Sequence, residues 1–280
     1  MLSLPIVKII AMIPFIPSVV VWDVNPAIFT IGSFEVRYYG ISWALSIVIG
    51  LYIFSKILKR EKLNEKLLDS MFWYVVICLI VGARLGHCLF YAPEYYLTHP
   101  LEILNLREGG LASHGAALGM LLGLWLFSRK NKMPYMWSLD RIGIAVAIGG
   151  AAVRLGNLMN SEIYGTQTDL PWGFIFVQNG EVLPMHPTQI YEALAYLALF
   201  FLLLWMYFKK DYARKIPGLM FGVFLIILFA ARFLIEYVKL PQEAFEEGMV
   251  LNMGQILSIP FIIIGIVIAV RAAMKYRKSK

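Results

Sequence analysis

Charged residues are scarce in this chain, where they make up 15% of 280 residues, against roughly 25% in an average soluble domain. Hydrophobic residues reach 60%, and the mean hydropathy is +0.70. One globular core cannot bury so many apolar side chains, so lipid must surround part of the chain. The scarcity of charge therefore excludes an ordinary soluble domain and predicts an all-α integral membrane protein.

Cysteine is rare, and the common catalytic motifs are absent. Cys78 and Cys88 are the only two cysteines, and a helix holds residues at this spacing about 15 Å apart, too far for a disulfide. The sequence contains no HExxH motif, aspartate-rich cluster, P-loop, GxSxG or GxGxxG. Because these motifs supply metal, nucleotide and acyl-serine chemistry, we predict no metal site and no cofactor.

Seven apolar stretches are each long enough to cross a bilayer as a helix. They cover residues 38–58, 69–91, 111–128, 138–157, 188–208, 217–239 and 254–274. Residues 1–22 form an apolar leader that Pro14 and Pro17 interrupt, and we expect it to be interfacial or disordered. Residues 23–280 then form a single polytopic transmembrane domain, in which residues 158–187 are numerous enough for a small cap outside the membrane.

The basic residues lie mainly on one of the two sides that seven spans define. They follow spans one, three and five and fill the C-terminal tail, among them Lys59, Arg60, Arg129, Lys130, Lys209, Lys210, Lys275 and Lys278. The opposite connections are mostly acidic. The positive-inside rule therefore predicts a cytoplasmic C-terminus and an N-terminus outside the membrane. The net charge of +7 then has a membrane explanation, and we expect no nucleic-acid partner.

Several ionisable residues remain inside the predicted spans or at their edges. They are Arg84, His114, Asp140, Arg141, Arg154, Glu192, Arg232 and Glu236. A charge at a helix centre costs about 2.5–3.5 kcal/mol on insertion, so each one needs a partner or a function. An interhelical salt bridge explains any one of them as well as a substrate contact does. A purely structural bundle has little reason to bury so many, so together they indicate a site inside the bilayer.

Polar groups cluster around the outer end of span four. Arg154 and Asn157 are three residues apart on one helical face, and Asn160, Glu162 and Gly165 follow them. A solvated helix end would explain these residues. An arginine combined with amides and a carboxylate nevertheless fits a lipid phosphate better.

Span six carries a second arginine with a carboxylate nearby. Arg232 and Glu236 are four residues apart and share a helical face, so we expect Glu236 to orient Arg232 and to compensate part of its charge. Arg154 has only Asn157 on its face. We therefore expect the charge of Arg154 to remain freer for a ligand than that of Arg232.

The other ionisable residues have structural explanations as well as functional ones. Arg84 lies deep in span two, between glycines that allow close helix packing. His114, near the outer end of span three, is either a packed hydrogen-bonding residue or a general base. Arg141 is expected to be structural. Thr188 is expected to cap span five, with Glu192 in the first turns of that span.

Six blocks of residues follow one another in an order that is specific to one enzyme family: Val36–Gly40, Gly109–Gly115, Arg154–Gly165, His186–Gln189, Arg232–Glu236 and Met253–Ser258. From about residue 22 to the C-terminus, the chain resembles the bacterial prolipoprotein diacylglyceryl transferases. Three positions depart from the family pattern. Ala116 and Ser161 stand where the family has glycines, and Lys239 stands where it often has an arginine.

The resemblance implies transfer of the diacylglyceryl group of phosphatidylglycerol to the lipobox cysteine of a prolipoprotein. The products are a thioether and glycerol phosphate, and the step is the first in bacterial lipoprotein maturation. The implied partners are phosphatidylglycerol, a prolipoprotein signal peptide with its lipobox cysteine, and membrane lipid. The implied location is the cytoplasmic (inner) membrane, with the active site toward the outer leaflet.

The resemblance also gives roles to the residues noted above. The implied catalytic residues are His114, Tyr39, Arg154 and Arg232. The implied substrate-binding residues are Arg154, Asn157, Asn160, Glu162, Gly165, Arg232, Glu236 and Arg84. His114 is the candidate base for the substrate thiol, with Tyr39 as the alternative base or as its orienter. Arg154 and Arg232 bind the phosphodiester and stabilise its growing charge.

Two other classes of protein remain open at this point. A transporter or channel also buries arginine and glutamate along its pathway, although the sequence shows neither internal repeats nor paired broken helices. A lipid-binding structural protein would bind phosphatidylglycerol without turnover. A transfer assay with labelled lipid, set against flux into liposomes, separates these classes.

Overall fold

The computed structural model describes residues 19–32, 34–105, 110–240 and 248–279. The described part of the chain is mostly helical, with 71% of its residues in helices. It consists of two compact units. The larger unit comprises Met1–Gly50 and Gly143–Lys280, and the smaller unit comprises Leu51–Ile142.

Long helices dominate the described chain. The α-helices are α1 Tyr38–Glu61, α2 Lys66–Phe90, α3 Pro93–Thr98, α4 Ser113–Lys130, α5 Tyr135–Met159, α6 Thr188–Phe208, α7 Tyr212–Lys215, α8 Leu219–Ile235 and α9 Met253–Lys278. Short 3₁₀ helices occur at Pro100–Leu104, Val177–Asn179 and Glu236–Val238. The two halves of α1, and likewise those of α5, belong to different units.

Six helices of the described chain are long and apolar enough to cross a membrane: α1, α2, α5, α6, α8 with its continuation to Val238, and α9. The chain is therefore a multi-pass membrane protein. These helices confirm six of the seven predicted spans. The remaining span, 111–128, corresponds to α4, which has 18 residues and carries Ser113 and His114 at its start and Arg129 and Lys130 at its end. These polar ends lower its hydropathy, so the count of seven stays a prediction.

Four short strands modify the predicted all-α class. β1 Val20–Trp22 pairs in parallel with β4 Phe174–Phe176. β2 Ala27–Ile31 and β3 Phe34–Arg37 form an antiparallel hairpin just before α1. The last residues of the predicted leader are thus a strand, while residues 1–18 of that leader lie outside the described residues.

A small apolar core anchors the connection between α5 and α6. Leu158, Phe176 and Met185 are buried together, and Trp22 and Phe174 pack against them. The indole Nε1 of Trp22 also donates a hydrogen bond of 3.0 Å to the carbonyl of Leu158. This core fixes the segment that follows α5, from which several predicted site residues come.

In the smaller unit, glycines bring α2 and α4 into close contact. A Cβ placed on Gly82 would lie 2.8 Å from the Cα of Gly119, and a Cβ on Gly86 would lie 2.8 Å from the Cα of Gly115. Any larger residue would therefore push the helices apart. Small residues at helix interfaces are typical of membrane proteins, because they allow backbones to approach closely.

Arg141 forms a buried ion pair in the same unit. Its Nη2 lies 2.6 Å from Oε1 of Glu61, and the indole Nε1 of Trp137 donates to the other carboxylate oxygen at 2.6 Å. The guanidinium also lies over the Trp137 ring, 4.5 Å from its centroid. These contacts give Arg141 the structural role that the sequence predicts.

Candidate active site

The larger unit brings together ionisable residues from three helices. We call five of them the ion-pair chain: Arg154 on α5, Glu192 on α6, Arg232 on α8, and Glu236 and Lys239 after α8. The sequence predicts three of these as site residues. It places Glu192 among the structural residues and gives Lys239 no role, so these two were missed.

Arg154 contacts a carboxylate that the sequence does not assign to it. Its Nε atom lies 2.8 Å from Oε2 of Glu192, and its Nη1 donates a hydrogen bond of 3.2 Å to Oδ1 of Asn157. Within the described residues that Oε2 atom accepts no well-directed hydrogen bond, so its contact with Arg154 is an ion pair only. The sequence placed Asn157 on the same helical face and predicted that the charge of Arg154 stays freer than that of Arg232, but α6 packs Glu192 against Arg154.

Glu192 and Lys239 form the buried centre of the chain. Their side chains are 0% and 1% exposed. The Nζ atom of Lys239 donates to Oε1 of Glu192 at 3.2 Å and to Oε1 of Glu236 at 3.3 Å. One ammonium group therefore binds two carboxylates, which offsets the cost of burying each charge alone. The sequence predicted only that Glu192 lies in the first turns of α6. It gave no indication of these contacts.

Glu236 is held mainly by groups other than Arg232. The Nε atom of Arg232 lies 3.7 Å from Oε1 of Glu236, which is too long for a hydrogen bond. The amide of Asn252 donates to the other carboxylate oxygen at 3.3 Å. The side chain of Arg232 is 31% exposed, against 16% for Arg154. The predicted contrast is thus reversed, because Arg232 has the looser ion pair and the more accessible side chain.

The N-terminus of α9 packs against Glu236. Asn252 begins this helix with a capping box, in which its side chain accepts from the backbone N–H of Gln255 at 2.9 Å and its own N–H donates to the Gln255 side chain at 3.1 Å. A Cβ on Gly254 would lie 2.5 Å from Oε1 of Glu236. Glycine therefore lets the carboxylate approach the helix start, where the unpaired backbone N–H groups carry a partial positive charge.

The polar groups that the sequence predicts to cluster at the end of α5 converge on Glu162. Asn157 donates to Oε1 of Glu162 at 2.7 Å, and Asn160 donates to the same oxygen at 3.2 Å. The Oδ1 atom of Asn160 is buried without a hydrogen-bond partner among the described residues. A ligand hydroxyl at this position would supply the missing donor.

The loop around Glu162 has an unusual backbone. Ser161 and Ile163 adopt positive φ angles of 54° and 61°, which cost a non-glycine residue about 1–2 kcal/mol each. Two side chains from the first turn of α6 hold the loop in this shape. Gln189 donates to the carbonyl of Glu162 at 2.8 Å, and Thr188 donates to that of Ile163 at 2.9 Å. The shape of the loop is therefore held by side chains of α6 and not by the loop itself.

Thr188 does not cap α6 as predicted. Pro187 occupies the N-cap position, and no side chain caps the helix there. The Thr188 hydroxyl is used instead on the loop described above. Sequence reasoning also missed Gln189, because a side chain that binds a distant backbone carbonyl leaves no periodic signal.

Gly165 acts through its missing side chain. Its N–H donates to the carbonyl of His186 at 2.8 Å, and its backbone pairs with that of Lys239. A Cβ on Gly165 would lie 2.7 Å from the Cβ of His186 and 2.8 Å from Cγ2 of Thr188. The close approach of these segments explains the glycine without a ligand.

Tyr39 lies at the start of α1, beside the block that contains Arg154. A Cβ on Gly156 would lie 2.9 Å from Cδ2 of Tyr39, so the tyrosine ring packs directly on the backbone of α5. A cavity of about 470 Å³ opens next to it. Its walls are Glu35, Val36, Arg37, Tyr39, Gly40, Ile41, Ala44 and Asn160. Tyr39 and Asn160 thus border one space.

Two predicted site residues, His114 and Arg84, belong to the smaller unit. His114 is exposed on the first turn of α4. Arg84 is buried, and it donates to the carbonyls of Glu102 at 2.6 Å and Ile103 at 2.9 Å. The guanidinium also lies over the ring of Tyr96, 5.0 Å from its centroid. These contacts explain the burial of Arg84 without a lipid.

A second histidine and a tyrosine lie in the connection between α5 and α6. Burial lowers the pKa of His186, and its Nδ1 is 3.2 Å from the hydroxyl of Tyr191. Burial, together with a hydrogen bond of 2.6 Å to Glu181, raises the pKa of Tyr164. Both rings are therefore neutral at physiological pH.

In the described ranges no group of three or more His, Cys, Asp or Glu side chains is placed to hold a metal ion.

The fold and the ion-pair chain define a class: a polytopic membrane protein with a cationic site within one unit of its helices. Comparison with known sequences then gives the family. The chain belongs to the prolipoprotein diacylglyceryl transferase family, whose family model matches residues 26–271. The resemblance inferred from the six blocks is thereby confirmed, and the chain is a transferase.

Relatives from several bacteria are similar over nearly the whole chain. A protein of Porphyromonas gingivalis is 46% identical over 271 residues, which cover 92% of this chain and 96% of the relative. Proteins of Tolumonas auensis and Cupriavidus metallidurans are 44% and 38% identical. The matches cover 90% and 91% of this chain and 97% and 94% of those relatives. All three bear the name phosphatidylglycerol–prolipoprotein diacylglyceryl transferase.

Proposed function

We propose that this chain transfers the diacylglyceryl group of phosphatidylglycerol to the lipobox cysteine of prolipoproteins, the first step of bacterial lipoprotein maturation. The names of the relatives supply the two substrates. The observation that carries the proposal is the ion-pair chain, since it holds two arginines from different helices in one buried polar cluster. A reaction that develops negative charge on a phosphate requires such a cluster.

The reaction exchanges one carbon–oxygen bond for one carbon–sulfur bond. The substrate thiolate attacks the carbon of the diacylglycerol unit that is bonded to the phosphate oxygen. The carbon–oxygen bond breaks, and its electron pair stays on that phosphate oxygen. The thiol proton passes to a base on the enzyme. The leaving group is glycerol phosphate, which carries more negative charge than the phosphodiester did. Arg154 and Arg232 stabilise that additional charge.

The polar loop after α5 is suited to the glycerol headgroup. Glu162 accepts hydrogen bonds from Asn157 and Asn160, and its position is fixed by the backbone contacts of the loop. The unpaired Oδ1 of Asn160 offers an acceptor for a headgroup hydroxyl. The cavity beside Tyr39 provides room for the group.

Two residues are candidates for the base. A free thiol has a pKa of about 8.5, so a base close to the headgroup plane would help to form the thiolate. His114 is exposed on α4, which leaves its ring available to a substrate. Tyr39 borders the cavity and is the alternative base or the residue that orients the thiol.

The proposal includes the orientation of the chain. Seven spans, with α4 as the third, place the C-terminus in the cytoplasm and the N-terminus outside. The end of α5 then lies at the outer leaflet of the cytoplasmic membrane, where a secreted prolipoprotein presents its signal peptide.

Transfer from labelled lipid tests the proposal. Purified protein in detergent receives phosphatidylglycerol that carries a label in the glycerol of its diacylglyceryl group, together with a lipobox peptide. We expect label to appear on the peptide through a bond that resists hydroxylamine, as a thioether does, and glycerol phosphate to be released in equal amount. A peptide with serine in place of its cysteine is the control. Absence of transfer, combined with ion or solute flux into liposomes, would contradict the proposal and favour a transporter.

A further inference from the structure

Lys239 lies at the centre of the ion-pair chain, and its ammonium group binds the two carboxylates of that chain. Its Nζ atom binds Glu192 and Glu236, at 3.2 and 3.3 Å. Glu192 in turn contacts Arg154, and Glu236 contacts Arg232. The two arginines proposed to bind phosphate are therefore connected through one lysine.

The backbone of Lys239 is fixed as firmly as its side chain. It pairs with Gly165 at the end of the polar loop, and the preceding carbonyl, that of Val238, accepts a hydrogen bond of 2.8 Å from the N–H of Thr166. The residue as a whole is 5% exposed. Lys239 thus joins the polar loop, α6 and the end of α8 at one point.

The net charge of the ion-pair chain depends on this lysine. Arg154, Lys239 and Arg232 face two carboxylates, which leaves a net charge of +1 for an anionic ligand. Without the lysine, the two carboxylates would cancel both arginines, and the ionic link between the arginines would be lost. An ammonium group has three donors and is a compact charge, so it can bind both carboxylates while the arginines keep their outer N–H groups.

We propose that Lys239 is a positioning residue, which fixes Arg154 and Arg232 relative to one another through Glu192 and Glu236. The inference rests on the proposed function, because it concerns how the two arginines meet one phosphate. Lys239 acts only through the two carboxylates and does not contact the substrate. Small displacements of groups that stabilise a transition state reduce turnover strongly, by up to about 10²-fold for 1 Å.

Four variants test this role: Lys239→Met, Lys239→Arg, Glu236→Gln and the double variant Lys239→Met with Glu236→Gln. We expect Lys239→Met to lower kcat by roughly 10–10²-fold. Lys239→Arg keeps the charge and its donors, so it should retain most of the turnover. The double variant leaves no unpaired carboxylate at position 236, but Oε1 of Glu192 still loses its cation. Its thermal stability should therefore lie between those of Lys239→Met and Glu236→Gln.

The comparison between the double variant and Glu236→Gln decides the matter. If Lys239 positions the arginines, turnover of the double variant stays at least about tenfold below that of Glu236→Gln at a temperature where both variants are fully folded. If Lys239 only neutralises buried carboxylates, the two variants turn over at the same rate, and the inference is wrong. This comparison stands even where Lys239→Met itself fails to fold.

Two further measurements separate this inference from the proposed function. Binding of short-chain phosphatidylglycerol in detergent is measured for every variant, and we expect the double variant to bind more weakly than Glu236→Gln. Loss of transfer by the unaltered protein would contradict the proposed function, while unequal binding by the two variants would still support Lys239. Equal turnover and equal binding would overturn the inference alone. Glu61→Gln, which weakens the buried ion pair of Arg141, is the control: it should lower stability and leave lipid binding unchanged.

Discussion

Replacing either arginine of the ion-pair chain by lysine tests the mechanism most directly. Arg154 uses its Nε on Glu192 and one Nη on Asn157, and it also hydrogen-bonds the side chain of Tyr196. Part of its guanidinium is left for a phosphate. A lysine has a single nitrogen and cannot satisfy Glu192, Asn157 and a phosphate oxygen in the same geometry. Arg232 has a looser ion pair and a more exposed side chain, 31% against 16% for Arg154. Neither substitution is therefore conservative.

The size of the effect follows from the hydrogen bonds that are lost. A hydrogen bond to a charged group contributes about 1.5–3 kcal/mol. If the bond strengthens as charge grows on the leaving phosphate, its loss lowers turnover by roughly 10–150-fold. Arg154→Lys also weakens the hold on Asn157, which positions Glu162, so its defect should be at least as large as that of Arg232→Lys.

Turnover at saturating phosphatidylglycerol and peptide, measured beside lipid binding, gives the answer. Both variants should insert and fold, because each keeps a cation next to its carboxylate. Arg214→Lys serves as the control, since Arg214 is a half-exposed arginine that pairs with Asp211 at the far end of α6. Near-normal transfer by both Arg154→Lys and Arg232→Lys would refute a two-arginine phosphate site and leave both residues as ties between helices.

Three further outcomes are expected. His114→Gln should lower turnover by roughly 10²–10⁴-fold. The defect should shrink as the pH rises toward the pKa of the substrate thiol, because thiolate then forms without a base. A mild defect that does not change with pH would point to Tyr39. In intact cells, a cysteine introduced at Asp169 should react with an impermeant thiol reagent, whereas one at Lys278 should react only after permeabilisation, and the reverse pattern would contradict the proposed orientation. Ser161→Gly should raise the midpoint of thermal unfolding in detergent, because glycine adopts a φ of 54° without strain, whereas the β-branched Ser161→Val should lower it; a lower midpoint for the glycine variant would mean that this backbone is not strained.

The spans were the most predictable part of the fold, because hydropathy is a local property of the sequence. The predicted stretch 188–208 coincides with α6, and 254–274 lies inside α9, Met253–Lys278. The pairing of β1 with β4 could not be predicted in this way. It joins Val20 to Phe174, and no local pattern indicates which strand a three-residue segment will choose.

The same distinction between local and long-range contacts applies to the candidate site. The sequence predicted a cluster of Arg154, Asn157 and Glu162, because these residues lie close together along the chain at the end of one helix. The contacts of Glu192 depend on how α6 packs against α5 and on the turn after α8, which no spacing reveals. Thr188 was assigned to a helix cap by local preference, but its hydroxyl binds a carbonyl of another segment.

The order of charges along the ion-pair chain has a consequence for how the protein enters the membrane. Arg154 is synthesised before Glu192, so the carboxylate on α6 meets a cation already present as it leaves the translocation channel. Glu236 follows Arg232 by one helical turn and precedes Lys239 by three residues, so this segment inserts with its own counter-charges. An unpaired charge costs about 2.5–3.5 kcal/mol at the centre of a span. Biogenesis of this protein can therefore proceed one helix at a time, without any carboxylate of the chain waiting alone in lipid.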